Sequence, residues 1–216
     1  MTKSSKVLVI CASPRHNGNS AILAAAAAEG ANKAGHDVET VFLDDYVEGM
    51  LRDCRTCRNV EGDCSIDDLY GELFLKKFLP ASAVIFATPL HYYGMTGRLK
   101  TFFDRIFCFT SDSAPDGSIH AQSLQNKQIG LLISCEESYP GATLGLVAQF
   151  QELTRYNRQS FVGYCVGVAN SRGEIIHDPA DPVANAHRLG QHIMYLTETD
   201  YRFDSERGNN VWSTNC

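Results

Sequence analysis

The sequence predicts an α/β fold, with a doubly wound five-stranded parallel sheet that carries helices on both faces. Three observations lead to this prediction. Several short runs are apolar at every position, which is typical of strands buried on both faces. Each run is followed by a longer segment with a helical pattern, and strands that alternate with helices form parallel sheets. The length of 216 residues fits one domain, predicted to span residues 1–216.

The elements are predicted from apolar spacing and from residues that begin or end helices. Residues 37–42 alternate polar and apolar positions, which is typical of an edge strand. Gly35 is predicted to end the first helix, and Thr96 to cap the third. The predicted strands are Val7–Ala12, Asp37–Phe42, Ala83–Ala87, Ile129–Ser134 and Phe161–Val168. The predicted helices are Asn19–Ala34, Asp67–Lys77, Thr96–Phe103, Gly141–Arg155 and Pro182–Thr199.

Three longer connections interrupt this alternation. They are Asp44–Ile66 after the second strand, Phe109–Lys127 before the fourth strand and Cys135–Tyr139 after the fourth strand. Long connections in a compact domain are usually functional, and ligands of doubly wound folds bind at the carboxyl ends of the strands. We therefore expect all three connections to lie at that edge. The polar tail of residues 200–216, which contains Trp212, is expected to pack on a partner subunit.

The composition argues against several classes of protein. The net charge of −6 disfavours a nucleic-acid-binding surface. No apolar run approaches the roughly 20 residues that a membrane span needs, and the first residues do not resemble a signal peptide. Eight cysteines in 216 residues are too few for a disulfide scaffold, and Cys11, Cys135 and Cys165 lie in buried-strand patterns. Free thiols without an export signal predict a cytoplasmic protein.

The junction between the first strand and the first helix has the residues of an anion-binding site. The N-terminus of a helix offers unpaired backbone N–H groups and a positive dipole end. The loop adds Arg15 as a positive charge but lacks the lysine of a P-loop and the repeated glycines of a dinucleotide-binding loop. Its neutral side-chain donors are Ser13, Asn17, Asn19 and Ser20. Such a hydroxyl- and amide-rich loop suits the phosphate of flavin mononucleotide, and a plain helix-capping turn is the alternative.

A second candidate loop, residues 89–94, follows the third predicted strand. Pro89 ends strand pairing, and Gly94 lets the backbone come close to a ligand. Between them lie His91, Tyr92 and Tyr93, which could contact the face of a planar ring. The alternative is an ordinary loop whose aromatic side chains pack on the core. We expect His91 to lie beside the ring, where the charge that a histidine gains near neutral pH would make reduction of the ring pH-dependent.

Together the two loops resemble one family, the flavodoxin-like NADPH-dependent FMN reductases, and in particular its branch related to iron–sulfur flavoproteins. The likeness covers about residues 6–170. The first family motif is matched by Ala12-Ser13-Pro14-Arg15 and Gly18-Asn19-Ser20. The second is matched by Ala87-Thr88-Pro89-Leu90, Gly94-Met95-Thr96, Leu99-Lys100 and Asp104-Arg105. His91 departs from the pattern, because the family often has tyrosine at this position.

The resemblance implies a flavodoxin-like fold with bound FMN, and NADPH or NADH as the electron donor. The phosphate would be bound by Ser13, Arg15, Gly18, Asn19 and Ser20, to which the donors of the loop add Asn17. The isoalloxazine ring would be surrounded by Pro89, Leu90, His91, Tyr92, Tyr93 and Gly94. Because the flavin carries the electrons, no side chain is expected to act as a nucleophile or a general base.

Family members with an iron–sulfur cluster carry four cysteines after the second strand. Here Leu51 stands where the first is expected, and Cys54, Cys57 and Cys64 remain. Three thiolates do not complete a four-cysteine cluster, and this segment has no histidine that could bind zinc. We therefore expect no metal and a metal-free loop near the flavin. A metal with a ligand from elsewhere and a redox-active Cys54–Cys57 pair are the alternatives.

These features predict an FMN-dependent NAD(P)H oxidoreductase that reduces a quinone, a free flavin or another small acceptor. One open face of the ring would admit the nicotinamide and then the acceptor, which gives ping-pong turnover. The alternatives are a non-enzymatic flavodoxin-like electron carrier or redox sensor, and a domain that has lost its flavin. Apolar residues on the long connections predict a homodimer or tetramer with the flavin near the interface. The sequence does not choose between NADH and NADPH.

Overall fold

The computed structural model describes residues 4–53 and 58–195. Within these residues, five parallel strands form one sheet in the order β2-β1-β3-β4-β5. The strands are β1 Lys6–Cys11, β2 Asp37–Phe42, β3 Ala83–Pro89, β4 Gln128–Cys135 and β5 Ser160–Val168. The predicted five-stranded parallel sheet is confirmed, with the polar strand β2 at one edge.

The described helices cover both faces of the sheet. They are α1 Asn19–Lys33, α2 Gly97–Thr110, α3 Gly117–Ser123, α4 Gly141–Tyr156 and α5 Pro182–His192, with a π-helical segment at Glu72–Phe78. Successive strand residues point to opposite faces, so Val9 and Ile85 pack with α1 and α5 while Ile10 and Phe86 pack with α2, α4 and the π-helical segment. None of the helices within the described residues is long and apolar enough to cross a membrane.

Two helix ends follow the prediction closely. The side chain of Thr96 accepts a hydrogen bond from the backbone N–H of Leu99 at 3.2 Å, which caps α2. Gly35 follows α1 with a φ of +87°, a backbone conformation that glycine adopts at little cost. Both residues therefore act as the sequence indicates.

The predicted helix Asp67–Lys77 is shorter and differently wound. Its π-helical turns cover Glu72–Phe78, and the N–H of Leu79 donates to the carbonyl of Phe74 five residues earlier at 2.9 Å. Asp68 does not enter a helix because its carboxylate accepts backbone N–H groups from Glu48 and Gly49. This residue anchors the connection after β2 rather than the first turn of a helix.

The prediction that Phe109–Lys127 leaves the carboxyl edge of the sheet is wrong. This connection begins in the last turn of α2, contains α3 and enters β4 at its amino end. The ammonium group of Lys127 donates to the carbonyl oxygens of Leu79 and Ala81, which precede β3. The physical reason is the βαβ connection itself, since α2 has already returned the chain to the amino edge.

The predicted last helix, Pro182–Thr199, ends earlier than expected. Helix α5 ends at His192, after which the N–H groups of Ile193 and Tyr195 donate to carbonyls three residues earlier. Residues from 196 onward, which include the predicted tail and Trp212, lie outside the described residues.

Helices α1 and α5 cross at very short distance because each has a glycine at the contact. A Cβ atom on Gly30 would lie 1.9 Å from the carbonyl oxygen of His187, and one on Gly190 would lie 2.0 Å from that of Ala27. No side chain fits at either position without separating the helices. Both helices begin at the carboxyl edge of the sheet, so this contact also brings their preceding loops together.

Candidate functional site

An open cavity of about 720 Å³ lies at the carboxyl edge of the sheet. Its walls come from the loops that follow four of the strands, namely β1, β3, β4 and β5. The lining residues are Ser13, Pro14, Arg15, Gly18, Asn19, Ser20, Pro89, Leu90, His91, Tyr92, Tyr93, Ser134, Cys135, Glu136, Glu137, Ala169, Asn170, Ser171 and Arg172. This is the edge at which doubly wound folds bind ligands, and the volume is in the range of cofactor sites.

The loop after β1 folds tightly around the N-terminus of α1. The N–H of Gly18 donates to the carbonyl of Arg15 at 3.0 Å, and the buried hydroxyl of Ser13 accepts the N–H of Arg15 at 3.2 Å. A Cβ atom on Gly18 would lie 3.2 Å from Arg15, so only glycine fits this turn without displacing a neighbour. No side chain caps α1, which leaves its first N–H groups available to an anion.

The same turn keeps Asn17 out of the cavity wall. His16 and Asn17 are the two central residues of the turn that Arg15 and Gly18 close, so both lie at the exposed outer tip. The ring of His16 stacks on Phe42 with centroids 3.9 Å apart, which holds this tip against β2. Asn17 was expected among the phosphate donors, but it is exposed at the tip of the turn and is not among the residues that line the cavity.

Ser20 lies inside the cavity wall and is linked to the end of β4. Its hydroxyl oxygen is 2.7 Å from that of Ser134, and both residues are buried. This bond uses one of the two hydroxyl hydrogens, so the pair retains one donor for a ligand. Ser134 had not been singled out from the sequence.

Residues 91–94 form a tight two-residue hairpin turn. His91 and Gly94 exchange two backbone hydrogen bonds of 3.0 and 3.2 Å, and Tyr92 and Tyr93 between them have φ values of +46° and +63°. Such turns usually carry asparagine or glycine there, because positive φ costs energy in other residues. The turn places His91, Tyr92 and Tyr93 in the cavity wall and leaves Gly94 outside it.

Tyr93 is connected to the loop after β4. Its hydroxyl lies 3.4 Å from a carboxylate oxygen of Glu137. A hydrogen bond with Tyr139 and the negative charge of Glu137 raise the pKa of Tyr93, so this phenol stays protonated near neutral pH. Tyr93 therefore serves as a fixed donor between two walls of the cavity.

The cavity contains no thiol suited to attack a substrate. Burial raises the pKa of Cys135 to about 11, and its S–H group donates to the carbonyl oxygen of Glu137. Burial likewise raises the pKa of Cys11 to about 11. Because the thiolate is the reactive form, both thiols are inert near neutral pH.

Two walls of the cavity had not been predicted as binding residues, those from residues 134–137 and 169–172. Residues 135–137 belong to the connection Cys135–Tyr139, which was expected at this edge, whereas the only signal for residues 169–172 was their position directly after β5. Arg172 is the most informative of them, because it adds a second positive charge to a cavity in which only Arg15 had been expected.

Of the three cysteines in the cysteine-rich segment, the structure describes Cys64. Cys54 and Cys57 are outside the described residues, and Cys64 lies 3.9 Å from the guanidinium group of Arg105 on α2. No described residue of the connection 44–66 lines the cavity, which differs from the expected loop near the flavin. Asp68 fixes the connection along α2, where it also pairs with Arg105. Among the described residues, no three His, Cys, Asp or Glu side chains form a metal-binding group.

Comparison with known proteins identifies the family of the chain. The family model for NADPH-dependent FMN reductases matches residues 5–166. The chain belongs to this family. It is therefore an enzyme of the FMN-dependent NAD(P)H oxidoreductases, with FMN as cofactor and NAD(P)H as electron donor.

Relatives support the same assignment. YwqN of Bacillus subtilis, named as an NAD(P)H-dependent FMN-containing oxidoreductase, is 30% identical over 174 residues, which cover 80% of this chain and 90% of that protein. An iron–sulfur flavoprotein of Archaeoglobus fulgidus is 29% identical over 207 residues, which cover 92% of this chain and 83% of that protein. The solved structure of a Trp repressor binding protein from Bacillus subtilis superposes with a TM-score of 0.66 at 28% identity and covers 85% of this chain and 99% of that one.

The residues present fit FMN. The phosphate requires hydrogen-bond donors and positive charge, which the uncapped start of α1, Ser20 and Arg15 offer together. The ring requires a broad apolar and aromatic wall, which residues 89–93 offer in the same cavity.

Proposed function

We propose that the enzyme binds FMN with its phosphate on the loop of residues 13–20 and its ring between residues 89–93 and 134–137. The observation that carries this proposal is that the uncapped N-terminus of α1 and three aromatic residues, His91, Tyr92 and Tyr93, line one cavity. When bound, FMN supplies the hydride and electron transfer. The protein binds and orients the ring, and it contributes no side-chain nucleophile.

We propose that the acceptor is a small planar molecule, such as a quinone or a free flavin. A second cavity of about 720 Å³ adjoins the first and shares Glu136, Glu137, Ala169 and Asn170 with it. Tyr139, Tyr164 and Leu144 give it apolar walls. A planar molecule could therefore approach the flavin site from this side, after the nicotinamide has left.

Steady-state kinetics test this proposal. Oxidation of NADPH and of NADH is followed with a benzoquinone and with free FMN as acceptors. Ping-pong turnover gives parallel lines in double-reciprocal plots at different acceptor concentrations. Intersecting lines would show that both substrates bind together. A yellow protein that oxidises neither nucleotide would instead be an electron carrier or sensor, and a colourless protein that takes up no FMN would overturn the cofactor site.

We also propose that the enzyme carries no iron–sulfur cluster. Leu51 occupies the position of the first cluster cysteine, and Cys64 is held beside Arg105. Iron and sulfide analysis of anaerobically purified protein should find less than stoichiometric amounts of both. One cluster's worth of iron and sulfide per chain, with absorbance beyond the flavin bands, would contradict this proposal.

Finally, we propose a single-domain cytoplasmic enzyme that forms a homodimer or tetramer and binds no nucleic acid. Phe109 does not support association, because its ring packs against Tyr70 and Phe74 within the subunit. Better support comes from a groove of about 450 Å³ between α2 and α4, with Phe107 exposed on the same face of α2 as its lining residues Phe103 and Asp104. The predicted contact through Trp212 lies outside the described residues.

A further inference from the structure

The side chain of Asn19 does not face a ligand as a free donor. Its Nδ2 group donates to the carbonyl oxygen of Ser171 at 3.0 Å, and its Oδ1 atom accepts the N–H of Gly173 at 2.8 Å. The N–H of Ile175 approaches the same oxygen at 3.5 Å. Both ends of the amide are therefore used to hold residues 169–175, which we call the β5 loop, against the start of α1.

The fold makes this contact possible although β1 and β5 are separated in the sheet by two strands. Helices α1 and α5 lie on the same face and touch at Gly30 and Gly190. The β5 loop leads toward α5, so the close helix crossing carries it to the first turn of α1. Within the loop, the N–H of Ser171 donates to the carboxylate of Glu174 at 3.1 Å, and Gly173 has a φ of +83°.

The hydrogen bonds of the Asn19 side chain with the β5 loop place Arg172 in the cavity. Arg172 follows directly after Ser171, and it lines the same cavity as Gly18, Asn19 and Ser20. Among residues 4–53 and 58–195, no carboxylate forms an ion pair with Arg172 or with Arg15. Within the part of the chain that the structure describes, the cavity thus has two arginines without acidic partners and an uncapped helix end.

The carboxylates of the cavity come from a different loop. Glu136 and Glu137 follow β4, and Glu137 contacts Tyr93 of the aromatic turn. An anionic group would therefore be attracted to the arginines of the loops after β1 and β5 and repelled by the glutamates of the loop after β4. For FMN, which has one phosphate and one neutral planar ring, this separation favours a single orientation.

We propose that Arg172 binds the 5′-phosphate of FMN together with Arg15, and that Asn19 is a positioning residue that holds Arg172 there through the β5 loop. The proposal rests on the cofactor site proposed above and extends it to a loop about 150 residues further along the chain. The backbone N–H of Asn19 remains part of the helix end, while its side chain acts on the loop.

The test compares FMN with riboflavin, which has the same ring but no phosphate. Apoprotein is titrated with each flavin, and binding is followed by quenching of flavin fluorescence. Arg172→Ala and Asn19→Ala should each raise the Kd for FMN roughly tenfold. Neither should change the Kd for riboflavin more than about twofold, and Arg172→Lys should recover part of the FMN affinity.

A double variant separates positioning from a general loss of structure. If Asn19 acts through Arg172, the variant Asn19→Ala with Arg172→Ala should bind FMN about as weakly as Arg172→Ala alone. A merely structural effect of Asn19→Ala would weaken riboflavin as well and would add to that of Arg172→Ala. Lys33→Gln is the control, because it removes one exposed positive charge from the last turn of α1, away from the cavity, and should bind FMN like the wild type.

Each remaining outcome has a defined meaning. Unchanged FMN affinity in Arg172→Ala would overturn the proposal. Unchanged FMN affinity together with a raised KM for NADPH would show that the arginine binds a phosphate of the electron donor instead. A wild-type protein that binds riboflavin and FMN equally would refute the phosphate site of residues 13–20 itself, which is a failure of the proposed function and not of the β5 loop alone.

Discussion

At the scale of the single residue, Ser20 and Asn17 look alike in the sequence but lie in different environments in the structure. Both are small polar residues of the same loop, but the hydroxyl of Ser20 is buried against Ser134 whereas Asn17 is exposed at the tip of the turn. We predict that Ser20→Ala raises the Kd for FMN about tenfold, because a hydrogen bond to a charged group is worth about 1.5–3 kcal/mol. Fluorescence titration of the apoprotein measures this.

Asn17→Ala is the matched control for that prediction. Its Kd for FMN should stay within about twofold of the wild-type value, because the side chain has no place in the cavity wall. A loss of affinity in Asn17→Ala as large as that in Ser20→Ala would show that the turn reorganises around the phosphate.

The ion pair of Arg105 and Asp68 is the second case at this scale. Both side chains are buried, and Arg105 also lies 4.2 Å from the centre of the Tyr70 ring. Burial alone would raise the pKa of Asp68, but hydrogen bonds from Arg105, Glu48 and Gly49 lower it. The carboxylate is therefore charged at neutral pH and depends on its partner.

We predict that Arg105→Met lowers the free energy of unfolding by about 3–5 kcal/mol, because it leaves a buried charge without a partner. Urea unfolding at neutral pH measures the loss. Arg155→Met is the control, since Arg155 forms an exposed pair with Glu152 and its loss should change stability little. Combining Arg105→Met with Asp68→Asn should restore much of the stability, because the neutral amide removes the unpaired charge and keeps an acceptor for the N–H groups of Glu48 and Gly49. Equal losses in the single and double variants would mean that packing, and not the unpaired charge, dominates.

At the scale of the element, Lys127 ties the end of the π-helical segment to the start of β4. Its ammonium group donates to the carbonyls of Leu79 and Ala81, and burial lowers its pKa to about 8. An unfolded lysine has a pKa near 10.4, so between about pH 8 and 10.4 the unfolded state binds more protons than the native state. Native stability attributable to Lys127 therefore rises with pH across this window.

We predict that the free energy of unfolding of the wild type, relative to Lys127→Met, increases by about 2 kcal/mol between pH 8 and 10. Taking the difference between the free energies of unfolding of the wild type and the variant cancels the contributions from the titration of tyrosines and other lysines. Lys76→Met, on the exposed side of the same segment, should keep the wild-type pH dependence. A constant difference between the wild type and Lys127→Met would show that the buried amine does not titrate in this range.

The elements also show what the sequence can and cannot predict. The strands and the two loops after β1 and β3 can be predicted from the sequence, because their patterns involve residues that are close in the chain. The π-helical winding cannot be predicted in this way, because it accompanies the contacts of Asp68 with Glu48 and Gly49, which are about 20 positions away in the chain. The β5 loop was missed for the same physical reason: its place at the cavity depends on Gly30 meeting α5, a contact between residues about 160 positions apart.

At the scale of the whole molecule, the groove between α2 and α4 favours pairing of two identical chains. Its surroundings combine the exposed ring of Phe107 with charges of both signs, including Lys100 and Asp104, as a face that contacts its own copy requires.

We predict that Phe107→Glu converts the protein from a dimer or tetramer to a smaller species in sedimentation velocity at micromolar concentration. Ile119→Glu is the control, because Ile119 on α3 is 59% exposed and Phe107 is 58% exposed, so the two changes perturb the surface alike. A wild-type protein that sediments as a monomer would refute the proposed association. Equal dissociation by both variants would place the interface elsewhere.

The bond between Asn19 and the β5 loop also has a consequence for the order of events in the life of the molecule. It joins residues 152 to 156 positions apart, so the phosphate site proposed above would have only one of its two arginine-bearing loops until most of the chain has been synthesised. A nascent or truncated chain that ends before residue 173 would contain the recognisable motif of residues 13–20 and yet retain flavin poorly. Loading of the cofactor thus becomes a late step, and unfinished copies do not compete with mature enzyme for the cellular supply of FMN.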